Sequence, residues 1–310
     1  MPEHPDDHDI PGPQRGSAPS GAVDLHYETR GHGPAVLLIM GLGLSLTGWW
    51  RTVPVLARHF RVITFDNRGI GRSRGSPWPY FVSRMADDAV AVLDAAGEEQ
   101  AHVYGISLGG MVAQELALRH PDRVRALVLG ATTPGGAEAV RGEVQAVSFF
   151  SRARAMGDEE AHWAAVPYMY SRRTRRRHAG RIGEDIAHRL DSSSSSSLVT
   201  HVQQLTAAGT HDVAARLPAV TAPTLVVHGD EDVLLPPGNG EVLAETIPGA
   251  EMRRWRNAGH FYVTDEPRAD QDIVRFLVAH TPERAPATRL LARARRLASR
   301  AVAGTGTGTG

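Results

Sequence analysis

The chain has no cysteine among its 310 residues. That excludes disulfides, a thiolate nucleophile and thiolate metal sites, and it leaves the redox compartment open. Lysine is absent too: all 34 basic residues are arginine, in line with a GC-rich coding sequence. A lysine base or Schiff base is thereby excluded. Neither charge sign is in excess. The 34 acidic residues balance the arginines to a formal net charge of +0, so nothing global draws the chain to nucleic acid or an anionic membrane. Long apolar runs are also missing. The stretch 35–40 continues to Trp50 only through Gly and Thr, too short and broken for a membrane span. Residues 1–20 hold no apolar segment of the signal-peptide kind. The expectation is a cytoplasmic protein.

What is present suffices for one large core, since 42% of the residues are hydrophobic. Residues 1–21 are rich in Pro, Gly and Asp and read as a disordered arm. Strands are expected over 23–28, 35–40, 61–65, 101–105 and 124–130. The continuous apolar character of the later ones suits parallel strands covered on both faces. Helices are expected over 49–60, 82–97 and 108–120. This β-α alternation means a doubly wound, mostly parallel α/β sheet. Between 135 and 213 the rhythm stops, and the segment reads as a helical cap. Within it, Arg172 to Arg177 reads as a solvated helix face, and the serine tract 191–197 as a flexible turn or helix start. The sheet resumes at 223–229 and 251–255, with helices over 237–247 and 267–280. The tail 283–310 is basic and of low complexity, and Leu290, Leu291, Ala294, Leu297 and Ala301 could line a frayed amphipathic helix.

The chemistry centres on Gly105-Ile106-Ser107-Leu108-Gly109, a G-x-S-x-G pattern between an expected strand and an expected helix. Such a turn strains its central residue. Flanking glycines let strand and helix approach, and the serine hydroxyl is held at the strand's carboxyl end. A serine there needs a base, and the base needs an orienting acid. Both should lie in loops after downstream strands. One loop holds Asp230, Glu231 and Asp232; the other holds Asn257-Ala258-Gly259-His260. Leu108, next after the serine, supplies one oxyanion amide, and the loop after 35–40 should supply another.

Taken together, these motifs resemble the α/β-hydrolase superfamily in its serine-nucleophile branch. The correspondence covers 22–134 and 214–282. It includes Asp66-Asn67-Arg68-Gly69-Ile70-Gly71-Arg72-Ser73, similar to the family's D-x-R-G-x-G-x-S turn. The resemblance implies a helical lid inserted after the family's sixth strand. It also implies Ser107 as nucleophile, His260 as general base then acid, and Asp232 as the orienting acid. Leu42 becomes the second oxyanion donor. Met40 stands where the family commonly has His. Asp66 and Arg68 are expected to hold their turn by mutual hydrogen bonds, and His228 to pack or hydrogen-bond at a strand end. Trp49, Trp163 and Tyr168 are candidate substrate contacts. Despite 15 histidines, no H-E-x-x-H pattern appears, so no metal and no cofactor are expected. The implied partner is a small apolar ester or lactone, as for bacterial esterases, including those similar to polyketide methylesterases. C–C bond hydrolysis and cofactor-free perhydrolase chemistry would use the same triad. A non-catalytic ligand-binding protein of this fold is the alternative from another class.

Overall fold

The computed structural model describes residues 12–282 except 77–78, 154–155 and 192–196. Residues 12–279 belong to one compact unit. A second unit begins at His280, and the basic tail from 283 on lies outside the described residues, as does the middle of the serine tract.

Eight strands form one sheet: β1 (Gln14–Ser20), β2 (Val23–Arg30), β3 (Ala35–Ile39), β4 (Arg61–Phe65), β5 (Ala101–Ile106), β6 (Val124–Gly130), β7 (Thr224–Gly229) and β8 (Glu251–Trp255). Their order is β1-β2-β4-β3-β5-β6-β7-β8. The pairs β1/β2 and β2/β4 are antiparallel, and the remaining neighbours are parallel.

The β1 strand corrects the expectation of a disordered arm over 1–21. Residues 14–20 pair along β2 through their backbone, and Ala18 is fully buried. Ser20 Oγ donates to Asp88 Oδ1 at 2.6 Å. Backbone pairing at a sheet edge needs little apolar side chain and tolerates Pro19. Composition alone therefore misreads the segment. Residues 1–11 lie outside the described residues.

Between these strands lie α1 (Thr52–Leu56), α2 (Val82–Ala95) and α3 (Leu108–Arg119). From β6 to β7 the chain makes five helices: α4 (Val144–Arg152), α5 (Asp158–Met169), α6 (Arg172–Arg177), α7 (Ala179–Asp191) and α8 (Leu198–Gly209). After β7 come α9 (Gly238–Thr246), α10 (Tyr262–Asp265) and α11 (Ala269–Ala279). The helix expected over 49–60 is instead a 3₁₀ turn at Leu46–Trp49 followed by the short α1.

Strand alternation sorts two cores. Leu37 and Ile39 join one with α2, α3 and α9. Val36 and Leu38 join the other with α1 and α11. This is the period-2 consequence of a sheet covered on both faces. A third cluster joins Met169, Tyr170, Ile182 and Ile186 of the inserted helices to Phe261, beyond β8.

The insertion is clamped by one buried carboxylate. Asp185 of α7 accepts from Trp50 Nε1 at 3.1 Å and Arg51 Nε at 2.9 Å. It also accepts from Tyr170 OH at 3.0 Å and Thr264 Oγ1 at 2.6 Å. Burial of a charge is tolerated when it is paired and hydrogen-bonded. α6 exposes Arg172, Arg173, Arg176 and Arg177, as expected for a solvated helix face, while Arg175 is half-buried and Thr174 buried.

Asp270 is a buried carboxyl with Thr52 Oγ1 at 3.2 Å. Burial pushes its pKa from 3.8 up to about 7. The folded state thus keeps a proton that the unfolded chain releases from about pH 4 upward. Stability contributed by this proton is full below that point and is lost as pH rises to about 7. Asp270→Asn should remove that slope. In urea titrations it should exceed the wild type at pH 8 by on the order of 4 kcal/mol and match it near pH 4. Equal gains at both pH values would refute the assignment.

Candidate active site

Ser107 sits between β5 and α3 with φ 57° and ψ −123°, a left-handed value that costs a non-glycine residue on the order of 1 kcal/mol. The crowding around it explains the turn. A Cβ on Gly105 would stand 2.1 Å from Gly109 O, so neither the strand nor the helix could hold its place with a larger residue there. Ser107 N donates to Gly130 O at 2.9 Å, and Ser107 O accepts from Thr132 Oγ1 at 2.8 Å.

The loop after β3 closes on the same point. A Cβ at Gly41 would lie 3.2 Å from Ser107 Cβ and 3.7 Å from its Oγ. Gly41 therefore lets the loop that carries Leu42 approach the serine. Leu108 opens α3, and a helix cannot satisfy its first amides internally. Neither the Leu42 nor the Leu108 amide donates to another protein group among the described residues. The loop start is fixed by Asn67 Nδ2, which donates to Met40 O at 2.9 Å. Met40 itself is buried in the core.

Asp232 and His260 meet beyond β7 and β8. His260 Nδ1 donates to Asp232 Oδ2 at 2.7 Å, and both side chains are buried. A carboxylate only accepts, so the proton lies on Nδ1 and Nε2 is free to act as a base. Asp232 Oδ1 accepts from Leu234 N at 3.0 Å and Leu235 N at 2.9 Å. Asp230 points elsewhere, accepting from Arg254 Nε at 2.8 Å. No hydrogen bond joins Ser107 Oγ to His260 among the described residues; apo sites often tighten this contact only with substrate.

Behind the pair, His228 Nε2 donates to Leu235 O at 2.8 Å. Burial lowers its pKa. It is the hydrogen-bonding residue expected there.

The inserted helices are tied to each of these loops. Gly43 N donates to Gln204 Oε1 of α8 at 2.9 Å. Phe261 N donates to Met169 O at 2.8 Å, and Glu143 N to Val233 O at 2.8 Å. Arg172 N donates to Glu231 Oε2 at 2.9 Å. Asp265 Oδ2 joins Gly259 N at 2.7 Å with Ser171 N at 2.9 Å. These partners lie far apart in the chain and give no local signal. Asn67, Glu231 and Gly259 fall within motifs visible beforehand, but their pairings do not.

Of the candidate substrate contacts, Trp49 is buried with its ring 4.8 Å from Tyr104. Trp163 is 49% exposed, and Tyr168 packs against Phe149 at 5.3 Å. No ring contact joins the three among the described residues. The expected Asp66–Arg68 hydrogen bonds are replaced by others. Asp66 accepts from Leu46 N at 2.8 Å and Arg72 N at 2.9 Å. Arg68 Nε donates to Asp88 at 2.6 Å, in a buried bidentate pair. The guanidinium takes the carboxylate on α2 because that pairing satisfies its planar fork. Asp66 instead serves backbone amides. Among the described residues no group of three or more His, Asp or Glu could hold a metal ion, and no helix is long and apolar enough to cross a membrane.

The sequence profile of the α/β hydrolase fold matches residues 34–267. A protein of Caulobacter vibrioides named "Putative carbamate hydrolase RutD" is 34% identical over 270 residues, covering 83% of this chain and 97% of its own. Among solved structures, a thermophilic esterase from Thermogutta terrifontis superposes with a TM-score of 0.74 at 28% identity, over 87% of this chain and 100% of that one. An enol-lactonase from Burkholderia xenovorans gives 0.73 at 26% identity, over 85% and 100%. With the profile spanning most of the chain and these relatives matching nearly end to end, the protein is a hydrolase that belongs to the α/β hydrolase fold family.

Proposed function

We propose that this hydrolase cleaves a carboxylic ester or lactone through an acyl-enzyme on Ser107, with His260 and Asp232 completing a triad. The observation that carries the reading is the buried 2.7 Å bond from His260 Nδ1 to Asp232 Oδ2. It holds the imidazole in the tautomer whose Nε2 accepts a proton.

In this scheme His260 Nε2 takes the Ser107 proton as Oγ bonds to the carbonyl carbon. The carbonyl electron pair moves onto oxygen, where the Leu42 and Leu108 amides receive it. Collapse expels the alkoxide, which leaves with the proton from His260. Water then adds to the acyl carbon, giving its proton to His260, and Ser107 departs with that proton as the acid is released. Every step closes on this chain's own groups.

A second reading has one specific support: the name carried by the Caulobacter vibrioides relative. A carbamate presents the same carbonyl to the same nucleophile, with a nitrogen substituent beside it. The ester, lactone and carbamate readings therefore differ in substrate and share the triad.

A fluorophosphonate probe should label wild-type protein at Ser107, and Ser107→Ala should lose both labelling and turnover while keeping its melting temperature. A folded wild-type protein that fails to label would end every serine-nucleophile reading. A panel of p-nitrophenyl esters, simple lactones and aryl carbamates then ranks the substrate classes by kcat/KM. Asp232→Asn should lower kcat by about 10³–10⁴, because the wrong tautomer and an unstabilised imidazolium follow. Asp230→Asn should change kcat by less than about threefold. The reverse pattern would reassign the acid.

A further inference from the structure

Gln204 of α8 is fully buried, yet only half of its carboxamide is used. Its Oε1 accepts the Gly43 amide at 2.9 Å. Its Nε2 is buried without a partner. The orientation is not interchangeable: an N–H can only donate, so the oxygen must face Gly43 and the NH₂ must face away. Buried donors are almost always paired, and an orphan calls for a reason.

The position supplies one. Gly43 is the next residue but one after Gly41, whose absent side chain leaves the loop against Ser107 Oγ. The Gln204 amide is thus bonded to the residue directly after Leu42, whose own amide is proposed to receive the oxyanion. We infer that Gln204 is a substrate-binding residue: its Nε2 donates to a hydrogen-bond acceptor that the substrate carries near the scissile carbonyl, while its Oε1 holds the oxyanion loop in place. This rests on the serine-hydrolase reading above and narrows its substrate class to acyl compounds bearing an additional oxygen or nitrogen acceptor close to the reacting carbon. The bland alternative is a bound water filling the gap.

Matched substrates separate the two. Methyl methoxyacetate and methyl butyrate differ by one ether oxygen against one methylene on the acyl side. The esters 2-methoxyethyl butyrate and butyl butyrate make the same exchange on the alcohol side. Wild-type protein should favour the ether-containing member of at least one pair. Gln204→Glu keeps an acceptor for Gly43 and removes the donor, so it should cut that kcat/KM ratio by at least about tenfold, mainly through KM. Gln204→Met, which also releases Gly43, should in addition lower kcat on both members of each pair. Ratios unchanged in Gln204→Glu for both pairs would overturn the inference in favour of the water. Fluorophosphonate labelling of Ser107 in the wild type keeps the outcomes distinct. Without labelling the serine reading itself fails; with labelling and unchanged ratios, only the role of Gln204 does.

Discussion

The site depends on the sheet's own hydrogen bonding being carried one step past the strand ends. Ser107 N binds Gly130 O at 2.9 Å, Ala131 N binds Val227 O at 2.9 Å, and Asp230 N binds Trp255 O at 3.0 Å. Glu231 N then reaches Ala258 O at 2.8 Å. These bonds run from the serine, across β6 and β7, to the histidine loop. Each is an ordinary backbone bond, and buried backbone groups must be paired. The same requirement that closes the sheet therefore fixes the spacing of Ser107, Asp232 and His260. Among the described residues three non-glycine ones have positive φ: Ser107, Ala131 and Asn257. All three lie in loops of this edge, so local strain collects where the register is extended.

A second layer of restraint comes from the inserted helices. They are bonded to the loop after β3 through Gln204, to the loop after β7 through Glu143 and Arg172, and to the loop after β8 through Met169 and Ser171. Asp185 secures the same helices to the segment after β3 and to α10. The insertion is therefore part of the site's frame. The helices between β6 and β7 reach the site loops both through these named bonds and through the packing of Met169, Tyr170, Ile182 and Ile186 on Phe261.

Much of this was legible beforehand because it is local. The buried strands β3, β6 and β7 show as continuous apolar runs, and the elbow needs only glycine, serine and the switch from strand to helix. The loops bearing Asp232 and His260 follow strands and could be found by topology. What escaped notice is long-range or backbone-driven. β1 is held by pairing with β2, and its composition of Gln, Gly, Ser and Pro says nothing of that. Arg68 selected Asp88, 20 residues away on α2, over the nearer Asp66. Gln204 meets Gly43 across 161 positions, and no spacing rule links them. Aromatic character marks Trp49 equally well for a pocket or for the core, and its ring packs against Tyr104.

His228 gives the site one more property. It lies 3.7 Å from Asp232, beyond hydrogen-bond distance, whereas His260 is bonded to the same oxygen at 2.7 Å. Its Nε2–H is committed to Leu235 O, and burial keeps the ring from taking a second proton. The two imidazoles therefore do not compete. One is a fixed neutral strut; the other, in the proposed mechanism, is the ring that carries the proton. The carboxylate is thus left to accept from only one of the two histidines that flank it.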